Sequence, residues 1–170
     1  MKEKFNIKCI SNKYIVKNIE ENDIDKVYIL CKTNPTYYKY CPPDVSKDSI
    51  KEDMHALPKN KTFEDKFYVG IYDNDNLIGI LDLILDYPNN DSAFIGFFMI
   101  GKEYQGKGIG TNIITDLLKY LKNIGYIEVN LAYAKGNEES ECFWLKNSFE
   151  KTGQEIEKDM YTAVKMKRKL

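Results

Sequence analysis

Three glycines at alternate positions, Gly106, Gly108 and Gly110, form the part of this sequence whose residue types and spacing point most directly to chemistry. Glycine allows an anion to come close to the backbone, because it has no side chain and tolerates left-handed conformations. The first N–H groups of a helix are unpaired and carry a partial positive charge, so a helix that begins at such glycines attracts phosphate groups. The spacing therefore predicts a phosphate or pyrophosphate site at residues 105–111.

Two common phosphate-binding motifs match this stretch only in part. Gly101, Gly106 and Lys107 have the spacing of the first part of a P-loop, but Gly108 occupies the position of the Ser or Thr that would hold magnesium. A dinucleotide-binding fingerprint that begins at Gly106 would need its third glycine one residue after Gly110. An NTP-binding protein is therefore a weaker alternative, and a glycine-rich turn without any ligand is another.

A second cluster of chemically useful residues is aromatic. Tyr37, Tyr38 and Tyr40 precede the double proline at residues 42–43, and we predict a loop here. Such a loop either covers the core or forms the wall of a binding site. In a binding site, flat amphipathic rings would supply both contact area and hydroxyl groups.

Composition and charge narrow the classes of function. The chain has 25 Lys and Arg against 26 Asp and Glu, a balance that does not favour nucleic acid or a membrane surface as the main partner. The four cysteines form no C-x-x-C pair and His55 is the single histidine, which argues against a zinc site. Isolated cysteines are typical of a reducing cytoplasm, and a Cys–His nucleophilic pair is left open by spacing alone.

The hydrophobic pattern surrounds the glycines with the strands and helices of a mixed sheet. Residues 93–100 are uncharged and rich in aromatic and β-branched side chains, as in a strand that is buried on both faces. A helix is predicted over 111–125, with an apolar face formed by Ile109, Ile113, Leu117, Leu121 and Ile124. Six more strands are predicted at 14–19, 67–72, 77–85, 126–134, 149–152 and 161–166, the last two around a turn at Gly153, and three more helices are predicted to be capped by Asn22, Ser46 and Asn137.

The order of these elements predicts the fold class. The strand–helix–strand unit at 93–134 should be a right-handed crossover with its two strands parallel. We therefore expect an α+β fold, an α/β three-layer arrangement with a mixed, mostly antiparallel sheet of about six or seven strands and about four helices. The length predicts a single domain over residues 1–170.

Two motifs resemble those of a known family. Gln105, Gly108 and Gly110 form Gln-x-x-Gly-x-Gly, which resembles the acyl-CoA-binding signature of the GNAT (GCN5-related) N-acetyltransferase superfamily. The segment from Asn137 to Phe149 is similar to the family's Asn-x-x-Ala-x-x-Leu-Tyr-x-Lys-x-Gly-Phe. Trp144 replaces its tyrosine and Ser148 replaces its glycine. The resemblance covers about residues 13–167.

The resemblance implies an acetyl-CoA-dependent transferase, without a metal, that acts on an amine of a small molecule or peptide as a monomer or homodimer. The two parallel strands would splay apart around the pantetheine arm, which would pair with the backbone of Phe98, Met99 and Ile100. The pyrophosphate would be held by Gln105, Gly106, Lys107, Gly108, Ile109, Gly110 and Thr111. Asn137 would contact the cofactor, cap its helix, or do both. A catalytically silent acyl-CoA-binding module is the alternative that the loss of the family tyrosine leaves open.

The implied reaction, attack of an amine on a thioester, needs a proton acceptor and an oxyanion donor. A primary amine with a pKa near ~10 is almost wholly protonated at pH 7. Asp82 is the carboxylate that interrupts the aliphatic segment 77–85, and burying it is costly unless it is paired or used. Asp82 is therefore a candidate base or amine anchor, although a structural or strand-end role is equally open, and Asp86 is a weaker candidate. A backbone N–H near Met99 or Ile100 could stabilise the oxyanion.

The replacement of the family tyrosine by Trp144 leaves the general acid open. By resemblance, that tyrosine protonates the departing thiolate, and indole cannot do so near neutral pH. Tyr37, Tyr38, Tyr40 or Tyr133 could take over this role. We expect instead that no acid is essential, because a thiol with a pKa near ~8.5 leaves as thiolate at little cost. Trp144 would then pack beside the pantetheine arm or the core.

Overall fold

The computed structural model describes residues 3–170; the first two residues of the predicted 1–170 domain lie outside the described residues. Seven strands form one sheet: β1 (Ile15–Asn18), β2 (Lys66–Asp73), β3 (Asn76–Leu85), β4 (Ser92–Ile100), β5 (Glu128–Ala134), β6 (Glu150–Glu157) and β7 (Thr162–Lys169). Five α-helices accompany them: α1 (Ile24–Lys32), α2 (Pro35–Tyr40), α3 (Lys47–His55), α4 (Ile109–Asn123) and α5 (Glu138–Lys146).

The sheet has the strand order β1-β2-β3-β4-β5-β7-β6. Its central neighbours β4 and β5 run parallel and are joined through α4, whereas the other neighbouring pairs are antiparallel. This arrangement confirms the predicted α+β fold, a mixed and mostly antiparallel sheet with a central β-α-β unit. The structure has one helix more than predicted.

The first face of the sheet is covered by α4 and α5. The apolar side of α4 is buried there together with Val129 and Leu131 of β5, Val164 and Met166 of β7, and Trp144 of α5. Burying each large aliphatic side chain contributes about 1.5–3 kcal/mol. The five buried residues of α4 (Ile113, Ile114, Leu117, Leu118 and Leu121) therefore fix this helix firmly behind the parallel pair.

The second face is covered on one half only. A separate core contains Val27 of α1, Ile50 of α3, and Tyr68, Ile80 and Met99 of β2, β3 and β4. Within the described residues, none of its buried members comes from β5, β6 or β7. The second face of these three strands is therefore not covered by a helix, and it forms the floor of an open cleft.

Two of the local predictions on helices were wrong and one is confirmed. Tyr37, Tyr38 and Tyr40 lie in helix α2 and not in a loop, because Pro35 occupies its first turn, where proline is pre-organised for a helix. Asn22 does not cap α1; it lies in a 3-10 turn at Glu21–Asp23, whose capping box is formed by Glu20 and Asp23. The predicted cap of α3 is confirmed, because the Ser46 side chain accepts a hydrogen bond from the Ser49 N–H.

The predicted turn at Gly153 was a third error. Gly153 lies within β6 at a φ of +83°, where the pairing between β6 and β7 shifts register. A glycine with positive φ at a register shift is typical of a β-bulge, which the sequence pattern did not distinguish from a turn. The chain turns instead at residues 158–161, where the Lys158 N–H donates to the Tyr161 carbonyl.

Candidate active site

The two parallel strands separate in the middle of the sheet. Pairing between β4 and β5 joins only Ser92–Ile95 to Glu128–Leu131, although β4 continues to Ile100 and β5 to Ala134. The gap begins beside Gly96, the extra residue of a bulge where the pairing of β3 with β4 shifts register. A V-shaped gap therefore opens toward the carboxyl ends of both strands, immediately before the glycine loop.

The backbone of β4 presents alternate N–H groups to this gap. Gly101 donates its N–H to the Ile78 carbonyl of β3, at a distance of 2.9 Å. Because successive N–H groups of a strand face opposite edges, the Met99 N–H also faces β3, whereas those of Phe98 and Ile100 face the gap. The sequence analysis predicted an oxyanion donor among the backbone N–H groups near Met99 or Ile100. The alternation of the strand favours the N–H of Ile100.

The glycine loop has the open backbone that an anion needs. Gly106 and Gly108 have φ values of +73° and +76°, and a Cβ added to either residue would meet nothing within 4 Å. Gly108 is the N-cap of α4, so the first N–H groups of a 15-residue helix lie next to this open space. Gly110 has a different role, because a Cβ there would lie 3.2 Å from the Phe143 ring, so that glycine permits close packing of α4 against α5.

Gln105 anchors the loop through its side chain. Its Nε2 donates to the Asn34 Oδ1 at 2.6 Å and to the Ile100 carbonyl at 2.8 Å. The Asn34 Nδ2 donates to the same carbonyl, and the Lys102 N–H donates to the Thr33 hydroxyl. Gln105 therefore ties the loop to β4 and to the α1–α2 junction, and sequence reasoning did not identify Asn34 as its partner.

A cavity of about 830 Å³ extends from the gap over the open floor of the sheet. Phe94 to Phe98 and Asn130 to Ala134 line its two strand walls, and Tyr37, Tyr133 and Trp144 also line it. Tyr38 and Tyr40 do not line it: Tyr38 packs against Tyr37, and the Tyr40 ring lies against Gly136. The structure thus brings two of the four candidate tyrosines to the cavity.

Asp82 forms a buried ion pair that the sequence did not reveal. The Lys66 Nζ lies 2.8 Å from both carboxylate oxygens, and the lysine and aspartate side chains are only 3% and 12% exposed. Burial raises the pKa of Asp82, and the Lys66 ammonium opposes that shift. Lys66 pairs with Ile84, two residues from Asp82, so the two side chains lie diagonally on the same face of the sheet. The predicted strand 67–72 began one residue after Lys66 and therefore did not include it.

The Asp82 carboxylate lies next to Gly96 at the wall of the cavity. A Cβ at Gly96 would lie 2.9 Å from the Asp82 Oδ2. Gly96 itself lines the cavity and is exposed, whereas Asp82 is buried and does not line it. The paired carboxylate therefore lies at the start of the gap, next to a residue that has no side chain.

Asp53 of α3 lies close enough to the Asp82–Lys66 pair to interact with it electrostatically. Part of the Asp53 side chain is exposed to water, and the rest is buried. This partial burial and repulsion by Asp82 raise the pKa of Asp53 to about 6, and Lys66 partly opposes the rise. Burial is the main reason why the pKa of Tyr68 is raised, and Asp53 raises it further. Two carboxyls and one ammonium therefore share this region.

Trp144 is packed in an aromatic cluster at the wall of the cavity. Its ring contacts Phe98, Phe143 and Phe149, with centroid distances of 6.0, 4.9 and 5.1 Å. Asn137 caps the same helix, because its side chain accepts a hydrogen bond from the Ser140 N–H. The capping role of Asn137 is thus confirmed, and its contact with a cofactor stays a prediction.

The candidate acids at the cavity are poorly suited to donate protons. The Tyr133 hydroxyl donates to Glu141 at 2.7 Å, and burial together with that carboxylate raises the Tyr133 pKa. Burial raises the pKa of Tyr37 well above its ordinary value. Tyr161, which sequence reasoning missed, also lines the cavity, and its pKa is raised to about 12 by burial and by Cys41.

Residues 3–170 were also considered for a metal site and for a membrane-spanning helix, and they provide neither. No group of three or more His, Cys, Asp or Glu side chains in this range is placed to hold a metal ion. No helix in the same range combines the length and apolar character needed to cross a membrane.

Comparison with known proteins gives a family match. A model described as the acetyltransferase (GNAT) family matches residues 29–149, which include α2 to α5 and the whole β-α-β unit. An uncharacterized protein of Methanocaldococcus jannaschii is 25% identical over 143 residues, which are 83% of this chain and 29% of that protein. The chain spans less than a third of the length of the curated relatives it matches.

Solved structures share the fold. An acetyltransferase from Thermus thermophilus is 16% identical, has a TM-score of 0.74 and covers 93% of this chain and 97% of its own. Spermidine N-acetyltransferase from Vibrio cholerae, in complex with CoA and spermine, is 21% identical, has a TM-score of 0.67 and covers 94% and 96% of the two chains. At these identities the likeness establishes the architecture of the sheet and helices.

Proposed function

Because the chain belongs to the GNAT acetyltransferase family, we propose that it transfers the acetyl group of acetyl-CoA to a primary amine of a small molecule or peptide. The observation that carries the proposal is the gap between β4 and β5, which ends at an open glycine loop on the N-terminus of α4. A long, narrow group with an anionic end fits this combination. A folded protein would gain nothing from leaving two central strands unpaired without such a group.

The residues present fit acetyl-CoA. The open space at Gly106 and Gly108 leaves room for a pyrophosphate against the first N–H groups of α4, with Lys107 exposed beside it. Phe98 and Ile100 can pair with an amide-bearing arm as a neighbouring strand would. When bound, acetyl-CoA supplies a thioester, and the amine nitrogen forms a C–N bond to its acetyl carbon as the C–S bond breaks and the thiolate leaves.

In this proposal, Asp82 binds the acceptor amine and accepts its proton. The carboxylate lies next to Gly96 at the start of the gap, and Lys66 orients it and favours its ionised form. It can anchor the ammonium form and take the proton that the amine loses. The Ile100 N–H of β4, which faces the gap, is the hydrogen-bond donor for the oxyanion.

Acetyl-CoA binding is tested by thermal unfolding. At about 100 times its dissociation constant, acetyl-CoA should stabilise the fold by ~2.7 kcal/mol, a rise in melting temperature of roughly 5–10 °C. Gly108→Ala should abolish the rise, because the new methyl group enters the space proposed for phosphate. Gly153→Ala is the matched control: this residue also has a positive φ and open surroundings, so it carries the same backbone strain without the ligand site.

The outcomes separate the three functional classes. Loss of the acetyl-CoA shift in Gly108→Ala, but not in Gly153→Ala, supports the acyl-CoA site. A shift only with ATP and magnesium would instead support the NTP-binding alternative. If acetyl-CoA binds but no member of a broad amine panel is acetylated, the chain is a silent acyl-CoA-binding module and the transferase proposal fails.

A further inference from the structure

The cavity floor carries an excess of positive charge beyond the proposed site of transfer. Val164 and Met166 of β7 point into the first core, so Lys165 and Lys167 point to the opposite, open face of the sheet. Both lysines line the cavity, together with Lys158 from the turn between β6 and β7. Among the described residues that line the cavity, Glu128 is the only acidic one.

Two of these lysines lack a compensating carboxylate. The Lys167 Nζ lies 3.4 Å from Glu128, so that pair is close to neutral. The Lys165 Nζ donates instead to the neutral Gln154 Oε1, at 3.2 Å. Within the described residues, neither Lys165 nor Lys158 has a carboxylate within ion-pair distance. At its other end, the cavity reaches Gly96, and the paired Asp82 lies next to that glycine.

The distribution of charge selects among amines. A polyamine would place its second ammonium among Lys158 and Lys165, where like charges repel. A molecule with a carboxylate at that position would instead form charge-assisted hydrogen bonds with the two lysines.

We propose that the acceptor is an amine that carries a carboxylate at its far end, with the amine at Gly96 and the carboxylate between Lys158 and Lys165. The proposal rests on the transferase function above and specifies its substrate class. It excludes linear polyamines as the preferred acceptors. The half-buried position of Lys165 strengthens the selection, because a charge that is partly removed from water is screened less than a fully exposed one.

The test uses acceptors that differ only in their terminal charge. One matched set is 6-aminohexanoate, 6-aminohexanamide and 1,6-diaminohexane, and shorter sets with three to five carbons cover the unknown distance. We expect kcat/KM to fall in the order carboxylate, amide, diamine, by up to about fivefold for each lysine contact. The ratios should shrink at about 0.5 M salt, because screening weakens the charge interactions.

Charge-reversal variants test whether Lys158 and Lys165 cause the preference for the carboxylate acceptor. The double variant Lys158→Glu with Lys165→Glu should reverse the order, so that the diamine becomes the best of the three acceptors. Lys119→Glu makes the same kind of charge change on the exposed side of α4, outside the cavity, and should keep the original order. Each variant must keep a cooperative unfolding transition and the acetyl-CoA shift, which shows that the fold and the acyl-CoA site are intact.

The proposal is overturned if the diamine is acetylated as well as the carboxylate in every set, or if the double variant keeps the original order. A protein that binds acetyl-CoA but acetylates nothing would refute the transferase function separately. The charge preference is then read from binding alone, as the added thermal shift that each acceptor gives to the CoA-saturated protein. No difference between carboxylate and diamine would overturn the proposal in that case as well.

Discussion

At the scale of single residues, the buried pair of Lys66 and Asp82 is the main candidate for proton transfer next to this cavity. A buried ion pair is seldom a source of net stability, because the loss of hydration of both ions offsets their attraction. Here the pair lies next to Gly96 at the start of a gap in the sheet, so its position is better explained by use than by stability.

Substituting Asp82 by Asn should lower turnover by about 10²-fold or more, as expected for loss of a general base. Acetyl-CoA should still raise the melting temperature of the variant, because the glycine loop is unchanged. The measurements are single-substrate kinetics at saturating acetyl-CoA and thermal unfolding with and without it. Near-normal turnover by the Asn variant would mean that Asp82 is structural and that the proton leaves to water.

Lys66 gives a second, independent test through pH. The Lys66 ammonium lowers the pKa of Asp82, so Lys66→Met should raise that pKa and move the acid limb of the kcat/KM profile to higher pH. The variant will also be less stable, by about 3–5 kcal/mol if the carboxylate stays charged and unpaired. An unmoved acid limb would show that Asp82 does not control the proton in the reaction.

Trp144 should matter for packing more than for proton transfer. We expect Trp144→Phe to change turnover at saturating acetyl-CoA by less than about tenfold, because a departing thiolate needs little protonation near neutral pH. Any larger effect should fall on stability or acetyl-CoA affinity, since the ring packs in the aromatic cluster described above. Tyr37→Phe, Tyr133→Phe and Tyr161→Phe should likewise be mild; a loss of about 10²-fold in any of them would identify a relocated acid.

At the scale of elements, one departure from the family pattern, a serine in place of a glycine after α5, affects the backbone. Ser148 follows α5 with a φ of +62°, at the position where the resembling family segment has glycine. A residue with a side chain loses about 1–2 kcal/mol in a left-handed conformation, of which glycine's larger unfolded-state entropy would offset only part. The chain therefore carries local strain at the end of α5.

Replacing Ser148 by Gly should consequently stabilise the protein by ~0.5–1 kcal/mol and raise its melting temperature by about 1–4 °C. Urea-induced unfolding measures the free energy directly. Ser148→Ala is the control, because alanine removes the hydroxyl but keeps the strained Cβ, and it should give no gain. Equal gains in the two variants would assign the effect to the hydroxyl and not to the backbone.

The sequence predicted the elements that carry strong local patterns and missed those that tertiary contacts decide. The central strand, the glycine loop and α4 were predictable because an uncharged strand, alternate glycines and a helical apolar face occur in succession. Helix α2 was missed because three tyrosines and a double proline resemble a loop more than a helix. Gly96 and Lys66 were missed because their importance depends on the partner strand that carries Asp82, which no local pattern encodes.

At the scale of the whole molecule, stability should respond to Asp53. Its pKa is about 6 in the folded protein and ~3.9 when unfolded, so the folded state binds the proton more tightly between these values. Stability attributable to this group is therefore fully present below about pH 4 and is lost as pH rises toward 6. Asp53→Asn should remove this fall, and the difference between wild type and variant should vanish at low pH.

The check is the free energy of unfolding of both proteins in urea from about pH 3 to pH 7, a range that brackets the two pKa values. Asp48→Asn, which removes a carboxylate near the start of the same helix, controls for the general loss of one acidic group. A constant difference between wild type and Asp53→Asn across this range would contradict the raised pKa.

The separation of β4 and β5 also affects how the sheet opens in solution. Four strands lie on one side of the gap and three on the other, and only four residue pairs join the halves directly. In the free protein, the amide hydrogens of Phe98 and Ile100 should exchange with deuterium faster than those of Met99 and Gly101, which face β3. Acetyl-CoA should slow the first pair selectively, and equal slowing of all four would argue against strand-like pairing. The ligand would then serve as a temporary eighth strand, which adds backbone pairing between two halves that otherwise share the core behind α4.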